Sequence, residues 1–576
     1  MNIYTILQYV FFLGVVLALV IPLGWYMQRV FDGEKTWLDP VLRPVERIIY
    51  RVAGVNPTEE MDWKGYSVAF VLFGLFGTLL LHLILRIQPF LHTFDPAFQP
   101  APLSPDLAMN TAISFSTTTT WQAYGGETTM SYFSQMVGLA AQNFMAGAAG
   151  LAVGIAFIRG LTRQRTNRLG NFWVDVTRAS LWVLLPIAVI GSLLLVWQGV
   201  PVNFLPYQTS LLLQTVVDVN GNAVNTQTLP MGPVAALELI KNLGTNGGGY
   251  FNVNGAHPFA NPTPLTNLIT MWAIILIPAA LTYTFGRMAG QPRQGWLLFW
   301  VMLVLFVAGL GIAQWSEQSG NPRIADLGVD ISAQGNMEGK ETRFGVAGSV
   351  LTAITTSNGA TGSYNSMHDS YMPLGGAVPL VNLLLGEIIF GGLGTGLYSV
   401  ILIALVGLFV GGLMVGRTPE YLGKKISIPE MKLIVFFTLI GPLVVMPLTA
   451  LAVTTAPGLA GLTTNSGAHG FTEILYAYAT SVANNGQNFA GLSANSPFYN
   501  ITTALAMMIG RFVLGILALT LAGLFASQTR RPATPGTMPT DTPLFGALMI
   551  ATVIIVGALS YFPAIALGAI LEHLLL

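Results

Sequence analysis

Apolar and polar residues are arranged along this chain in long blocks. Apolar runs of 17 or more residues recur at Tyr9 to Met27, Val68 to Ile87, Phe133 to Ile158, Leu181 to Trp197 and Leu265 to Gly286. They continue at Trp296 to Ala313, Val378 to Val415, Leu433 to Val453, Ile501 to Ala526 and Leu544 to Leu567. Each is long enough to cross a hydrocarbon layer of about 30 Å as a helix. Four shorter apolar segments fall between them, each leading into a strip of small polar residues. Ala112–Ser116 leads into Thr117-Thr118-Thr119-Thr120, and Val234–Leu243 into Gly244-Thr245-Asn246-Gly247-Gly248-Gly249. Phe344 to Ile354 leads into Thr355-Thr356-Ser357-Asn358-Gly359, and Phe471–Ser481 into Val482-Ala483-Asn484-Asn485-Gly486.

With Thr120, Gly247, Gly359 and Gly486 in register, the strips recur at intervals of 127, 112 and 127 residues. Such periods are too long for a solenoid, so each unit is a small bundle of spans. A strip of this composition favours extended backbone. At membrane depth, extended backbone has to be buried in protein or line an aqueous pore. Its carbonyls can then replace the hydration shell of a cation, and the helix ahead of it adds negative potential from its C-terminal end. The other reading is four polar loops outside the membrane. It leaves unexplained why a short apolar segment precedes each strip and a full span follows it.

Composition strengthens the membrane reading. Of 576 residues, 53% are hydrophobic and 9% charged, against about 25% charged in soluble domains. Formal net charge is zero, so nothing points to a nucleic-acid partner. There is no cysteine, which removes disulfides, thiolate metal sites and cysteine nucleophiles. The six histidines, His82, His92, His257, His368, His469 and His573, are scattered without zinc-ligand spacing, and the sequence predicts no transition-metal site. Gly335 to Lys340 lacks the spacing and following hydroxyl of a phosphate-binding loop, so no ATP site is expected on this chain.

Lysine and arginine set the topology. With the N-terminus outside, five loops taken as cytoplasmic hold 19 of the 25, including Arg159 in the second loop, as the positive-inside rule requires. The other six are Arg86, Lys241, Arg323, Lys340, Arg343 and Arg511. Residues 88–108 and the segment with Asp218, Asn220 and Asn222 are placed outside, as is the C-terminus. The expected fold is an all-α polytopic membrane protein with about ten transmembrane helices. Four span–pore-helix–filter–span repeats surround one pore: residues 65–178, 179–293, 294–432 and 433–531. Residues 1–64 hold the first span and a cytoplasmic loop, and 532–576 the last span.

Some polar residues break the apolar pattern. Arg511 stands about 15 Å into the span that begins at Ile501. It reads as a residue facing a cavity or as one snorkelling to the interface. Glu387 precedes Gly391, Gly392, Gly394 and Gly396. That stretch reads as a helix break with a mobile segment or as close packing between helices. Arg417 reads as a positive-inside anchor, Lys241 as facing an aqueous vestibule or capping its helix, and Gln122 as lining the pore mouth or as a plain loop amide.

The chain resembles the A-subunit family of the bacterial potassium-transporting ATPases. The resemblance rests on Trp121-Gln122, Gly126-Glu127-Thr128-Thr129, Asn203 to Gln208, Pro230 to Pro233, Leu243 to Gly249, Asn336 to Phe344, Gly416 to Lys425 and Gly491 to Phe498. It implies a K+-binding, K+-selecting subunit in a bacterial plasma membrane. K+ would pass from outside through the filter towards a separate P-type ATPase subunit, with small accessory subunits and membrane lipid as further partners. It implies K+ as the only metal, bound mostly by backbone carbonyls of Thr118, Thr119, Thr120, Thr245, Asn246, Gly247, Ser357, Asn358, Gly359, Asn484, Asn485 and Gly486. It places Gln122 near the filter, and Glu387, Arg417 and Arg511 in the vestibule and gate region. The first strip reads Thr-Thr-Thr where an Asn is expected, and Asn358 stands where a Cys can occur. The alternative within the superfamily is a K+ channel or ion-coupled symporter subunit, and outside it a non-conducting scaffold.

Overall fold

The architecture comes from a computed structural model, described for residues 3–91, 100, 102–218, 221–331, 335–532, 534 and 536–576. Parts of the 88–108 segment, His92 among them, and Asn220 lie outside the described residues. The molecule is helical apart from three two-stranded sheets among the described residues. The largest is an exposed hairpin of Gln208–Val217 and Ala223–Leu229.

Among the described residues, ten helices are long and apolar enough to span a membrane. They are α1 (Ile3–Asp32), α3 (Trp63–Phe90), α5 (Ser134–Thr162), α6 (Phe172–Trp197), α8 (Pro264–Met288), α9 (Pro292–Asp326), α12 (Thr395–Val415), α13 (Ile428–Thr454), α15 (Pro497–Ser527) and α16 (Pro543–Leu574). Between them lie an amphipathic α2 (Asp39–Ala53), four short helices α4 (Pro105–Ser116), α7 (Val234–Leu243), α10 (Gly345–Asn358) and α14 (Gly467–Val482), and a half-helix α11 (Pro373–Leu384).

Burial separates inner from outer spans. The helix that returns after each strip is the inner one: in the 18-residue apolar stretches of α5, α8, α12 and α15, 89, 72, 56 and 50% of the residues are buried. The helix leading into each unit is outer: in the same stretches of α3, α6, α9 and α13 the shares are 44, 39, 39 and 17%. The long apolar run from Val378 to Val415 is broken. Between α11 and α12 the backbone turns left-handed at Gly386, Glu387 (φ 61°), Phe390 (φ 47°) and Gly394, so a ten-residue irregular segment sits between the mostly buried α11 and the longer α12.

Two basic residues differ from their expected settings. Arg159 is in the last turn of α5, and it is buried. Its guanidinium meets Asp175 at 2.6 and 2.9 Å and also donates to the carbonyls of Leu169 and Phe31. Asp175 accepts in addition from the Tyr66 hydroxyl. This is a satisfied structural pair, and removing one member of such a pair costs about 3–5 kcal/mol. Lys241 is fully buried, so it faces no vestibule: its Nζ pairs with Glu238 at 2.9 Å, one turn back on α7, and with Asn254.

Candidate ion filter and the chamber beneath it

The four short helices stop in the same way. A serine side chain caps the start of α4: Ser104 accepts from the Leu107 N–H, and Pro105 presets the first turn. At the other end the chain passes one capping residue (Thr117, Gly244, Gly359, Ala483). It then takes a left-handed conformation at Thr118 (φ 64°), Thr245 (φ 51°), Ala360 (φ 54°) and Asn484 (φ 54°). No helix continues through that geometry. The next residue donates its N–H to the carbonyl five residues back in all four units: Thr119 to Ser114, Asn246 to Lys241, Thr361 to Thr356 and Asn485 to Thr480. The strip turns left-handed again at Thr120, Gly247, Gly362 and Gly486.

This geometry corrects the register of the third strip. Ser357 and Asn358 belong to the last turn of α10, and Gly359 is its cap with φ −78°. The residues equivalent to Thr245-Asn246-Gly247 are Ala360-Thr361-Gly362. Ser357 is helical, and its hydroxyl bonds the Ile354 carbonyl behind it. The corrected spacings are 127, 115 and 124 residues. Asn-Gly marked the strip in units two and four, but in unit three it marks the helix end. Gly247 and Gly359 differ in dihedral angle and not in residue type, so residue type alone does not separate them.

The four strips close into a ring. The Asn246 carbonyl accepts from the Thr120 hydroxyl. An added Cβ on Gly247 would lie 1.4 Å from the Thr361 carbonyl oxygen. On Gly362 it would lie 2.0 Å from that of Asn485, and on Gly486 1.9 Å from that of Thr119. So the middle carbonyl of each strip faces the last residue of its neighbour, in the order one to four and back to one. Three of these positions leave no room for a side chain. At the fourth, Thr120 keeps its Cβ and bonds the carbonyl. Four helix C-termini, each carrying about half a negative charge, point at this ring.

At its rim Gln122 accepts from the Gly249 N–H at 2.7 Å and donates to the Gly249 carbonyl and to the Tyr124 hydroxyl. It thereby ties strip one to strip two. Burial pushes the Tyr124 phenol up, outweighing the Gln122 hydrogen bond, so it stays neutral. Asn484 Nδ2 donates to Thr119 Oγ1, and Asn485 Nδ2 to the Thr356 carbonyl, fixing the fourth strip to its neighbours.

Directly beneath, Thr118, Thr245, Ala360 and Asn484 share a cavity with Glu387 and Arg511. Its volume is about 10 Å³, close to the room one water needs. Arg511 sits in a π-helical turn, Ile509–Val513. Its Nη2 donates to the Ala146 carbonyl at 2.9 Å, its guanidinium lies over Phe70, and its Nε has no hydrogen-bond partner. Glu387 is buried at the left-handed break, with Oε1 unpartnered. Thr245 reaches the same break by accepting from the Leu393 N–H. Arg417 is exposed beyond the end of α12 and is not among the residues lining this chamber. A second cavity of about 100 Å³ shares Glu387, Thr395, Asn484 and Gly510 with the first, and continues sideways along Phe437, Val553 and Tyr561.

Ten apolar helices around a ring of backbone carbonyls define a multi-pass membrane protein of channel-like architecture. Residues 10–574 match the potassium-transporting ATPase A subunit family, and the chain belongs to that family. It is 52% identical over 561 residues to the potassium-transporting ATPase potassium-binding subunit of Methylobacterium nodulans, covering 97% of this chain and 96% of that one. It is 50% identical over 569 residues to the protein of the same name from Rhodospirillum centenum, covering 99% and 97%. The fold is similar to that of the potassium transporter TrkH from Vibrio parahaemolyticus, with TM-score 0.50, 12% identity, and coverage of 90% of this chain and 98% of that one.

Proposed function

We propose that this chain is the K+-binding and K+-selecting subunit of an ATP-driven potassium importer. The observation that carries the reading is the closed ring of four strips, in which the carbonyls of Thr119, Asn246, Thr361 and Asn485 each face the last residue of a neighbouring strip. A dehydrated K+ would exchange water oxygens for these carbonyls and those of Thr118, Thr120, Thr245, Gly247, Ala360, Gly362, Asn484 and Gly486. Each repeat, bounded as the sequence suggests, would supply one strip.

Below the ring, the Arg511 charge would oppose straight passage of a cation by repulsion. Glu387 would offer the cation a carboxylate beside that barrier. The larger cavity running from Glu387 between α12, α13 and α16 supports a sideways exit. A pump needs this, because a pore open to both sides would dissipate the gradient. ATP would be hydrolysed on a separate P-type subunit, with small accessory subunits in the same complex of a bacterial plasma membrane.

The test is to isolate the chain from its native membrane with whatever subunits accompany it. K+-stimulated ATP hydrolysis by a co-purifying P-type subunit is expected. K+ conduction by the chain without any ATPase would favour the channel or symporter reading instead. Orientation is checked on this cysteine-free chain. A label applied from outside should reach Cys at exposed Leu327 and not Cys at Arg165.

A further inference from the structure

Away from the ring, Asp369, His469 and Glu473 bring their ligand atoms within 4.8 Å of one another. Asp369 lies in the segment that follows the third strip. His469 and Glu473 are one helical turn apart on α14, the short helix ahead of the fourth strip. His469 Nε2 faces Asp369 Oδ1 at 3.0 Å and Glu473 Oε1 at 3.9 Å. Its Nδ1 faces Glu572 Oε1 at 2.8 Å, on the C-terminal end of α16. Asn465 Nδ2 donates to Glu473 Oε1 at 2.8 Å and to Asp369 Oδ2 at 3.4 Å. Gly491 backs the cluster so closely that a Cβ there would lie 2.3 Å from Glu473 Oε1 and 2.7 Å from Asp369 Oδ2.

A second observation points to a ligand. The Glu473 side chain is 0% exposed, and its Oε2 has no hydrogen-bond partner. A buried carboxylate oxygen without a donor is destabilising. Three carboxylates also converge on one imidazole, which even when protonated neutralises only one of them. A dication would resolve both features.

We propose that Asp369, His469 and Glu473 form a binding site for a divalent transition-metal ion of the Zn2+ or Mn2+ class. Nε2 and the two carboxylates are the protein ligands, and water completes the coordination. Glu572 accepts from Nδ1–H and holds the ring in the tautomer that presents Nε2, the usual outer-shell partner of a metal-bound imidazole. One nitrogen and two carboxylates without thiolate suit Mn2+ or Zn2+ better than the all-oxygen shells of Ca2+ and Mg2+. The ion would tie together the segment behind the third strip, the helix ahead of the fourth, and the C-terminal end. It would thus brace the rim of the ring where strips three and four meet.

The experiment uses the full-length chain, purified without a polyhistidine tag together with its accompanying subunits and stripped with a chelator. Mn2+ is titrated by electron paramagnetic resonance, and Zn2+ is added as competitor. One Mn2+ per chain, displaced by Zn2+, is expected. H469Q and D369N should each weaken it at least 100-fold, and E572Q by about 10–100-fold. Absence of stoichiometric Mn2+ binding in the wild type would overturn the site, as would unchanged affinity in both H469Q and D369N. If those two variants fail to fold, E572Q decides, because it removes no ligand: wild-type affinity in E572Q overturns the proposal.

Discussion

Strips two and three look alike in composition and differ in what their glycines do. Gly247 and Gly359 both follow Thr or Ser and then Asn. Gly247 is left-handed and pressed against the Thr361 carbonyl, whereas Gly359 is a helix cap with φ −78°. Strip three reaches the same backbone path with Ala360-Thr361-Gly362, which has no amide side chain. The ring is therefore specified by dihedral angles and close carbonyl contacts. The side chains along it can be Thr, Asn or Ala as long as the last position permits the approach.

Changes along the ring should separate backbone from side chain, and four are ordered here by their effect on K+ affinity. Gly247→Asp places a carboxylate and a Cβ where the Thr361 carbonyl sits. Discrimination of K+ from Na+ and Rb+ should collapse, with K+ affinity falling at least about 100-fold in a binding isotherm. Thr120→Val keeps the Cβ and removes the hydroxyl that bonds the Asn246 carbonyl. A buried hydrogen bond of about 1–1.5 kcal/mol translates to about tenfold weaker K+ binding, and Thr120→Ser should restore it. Thr361→Val alters only a side chain whose hydroxyl bonds the Gly359 carbonyl, so affinity should change less than about threefold. Arg511→Gln, below the ring, should leave filter affinity at the wild-type value while uncoupling K+ uptake from ATP hydrolysis, both measured on the purified complex. Arg287→Gln, on the exposed end of α8, is the neutral control.

Much of the fold was legible. All ten spans show as apolar blocks, because a helix crossing lipid needs an apolar run of that length. The break at Glu387 was foreshadowed by four nearby glycines. Arg159 was misplaced because its partner Asp175 lies sixteen residues on, across a loop, and pattern reading cannot fold that loop back. The Lys241 partner was readable, since Glu238 stands one helical turn away. The ring itself was not, because its defining contacts join residues such as Thr120 and Asn246 across 126 positions. The third strip was misread for a local reason: Ser357-Asn358-Gly359 has filter composition but helical dihedrals.

The most direct measurement compares K+ binding in two single variants three residues apart, Gly362→Ala and Gly359→Ala. The first puts a methyl group 2.0 Å from the Asn485 carbonyl oxygen, on left-handed backbone. The second meets buried Ile274 Cγ2 at 2.3 Å and the Thr355 carbonyl oxygen at 2.9 Å, so the helix end must shift slightly, but on ordinary backbone. Isothermal titration of K+ against Na+ on both purified proteins should show selectivity lost in Gly362→Ala and retained in Gly359→Ala. Equal K+ binding by the two variants, or loss only in Gly359→Ala, would contradict the ring as the selecting element.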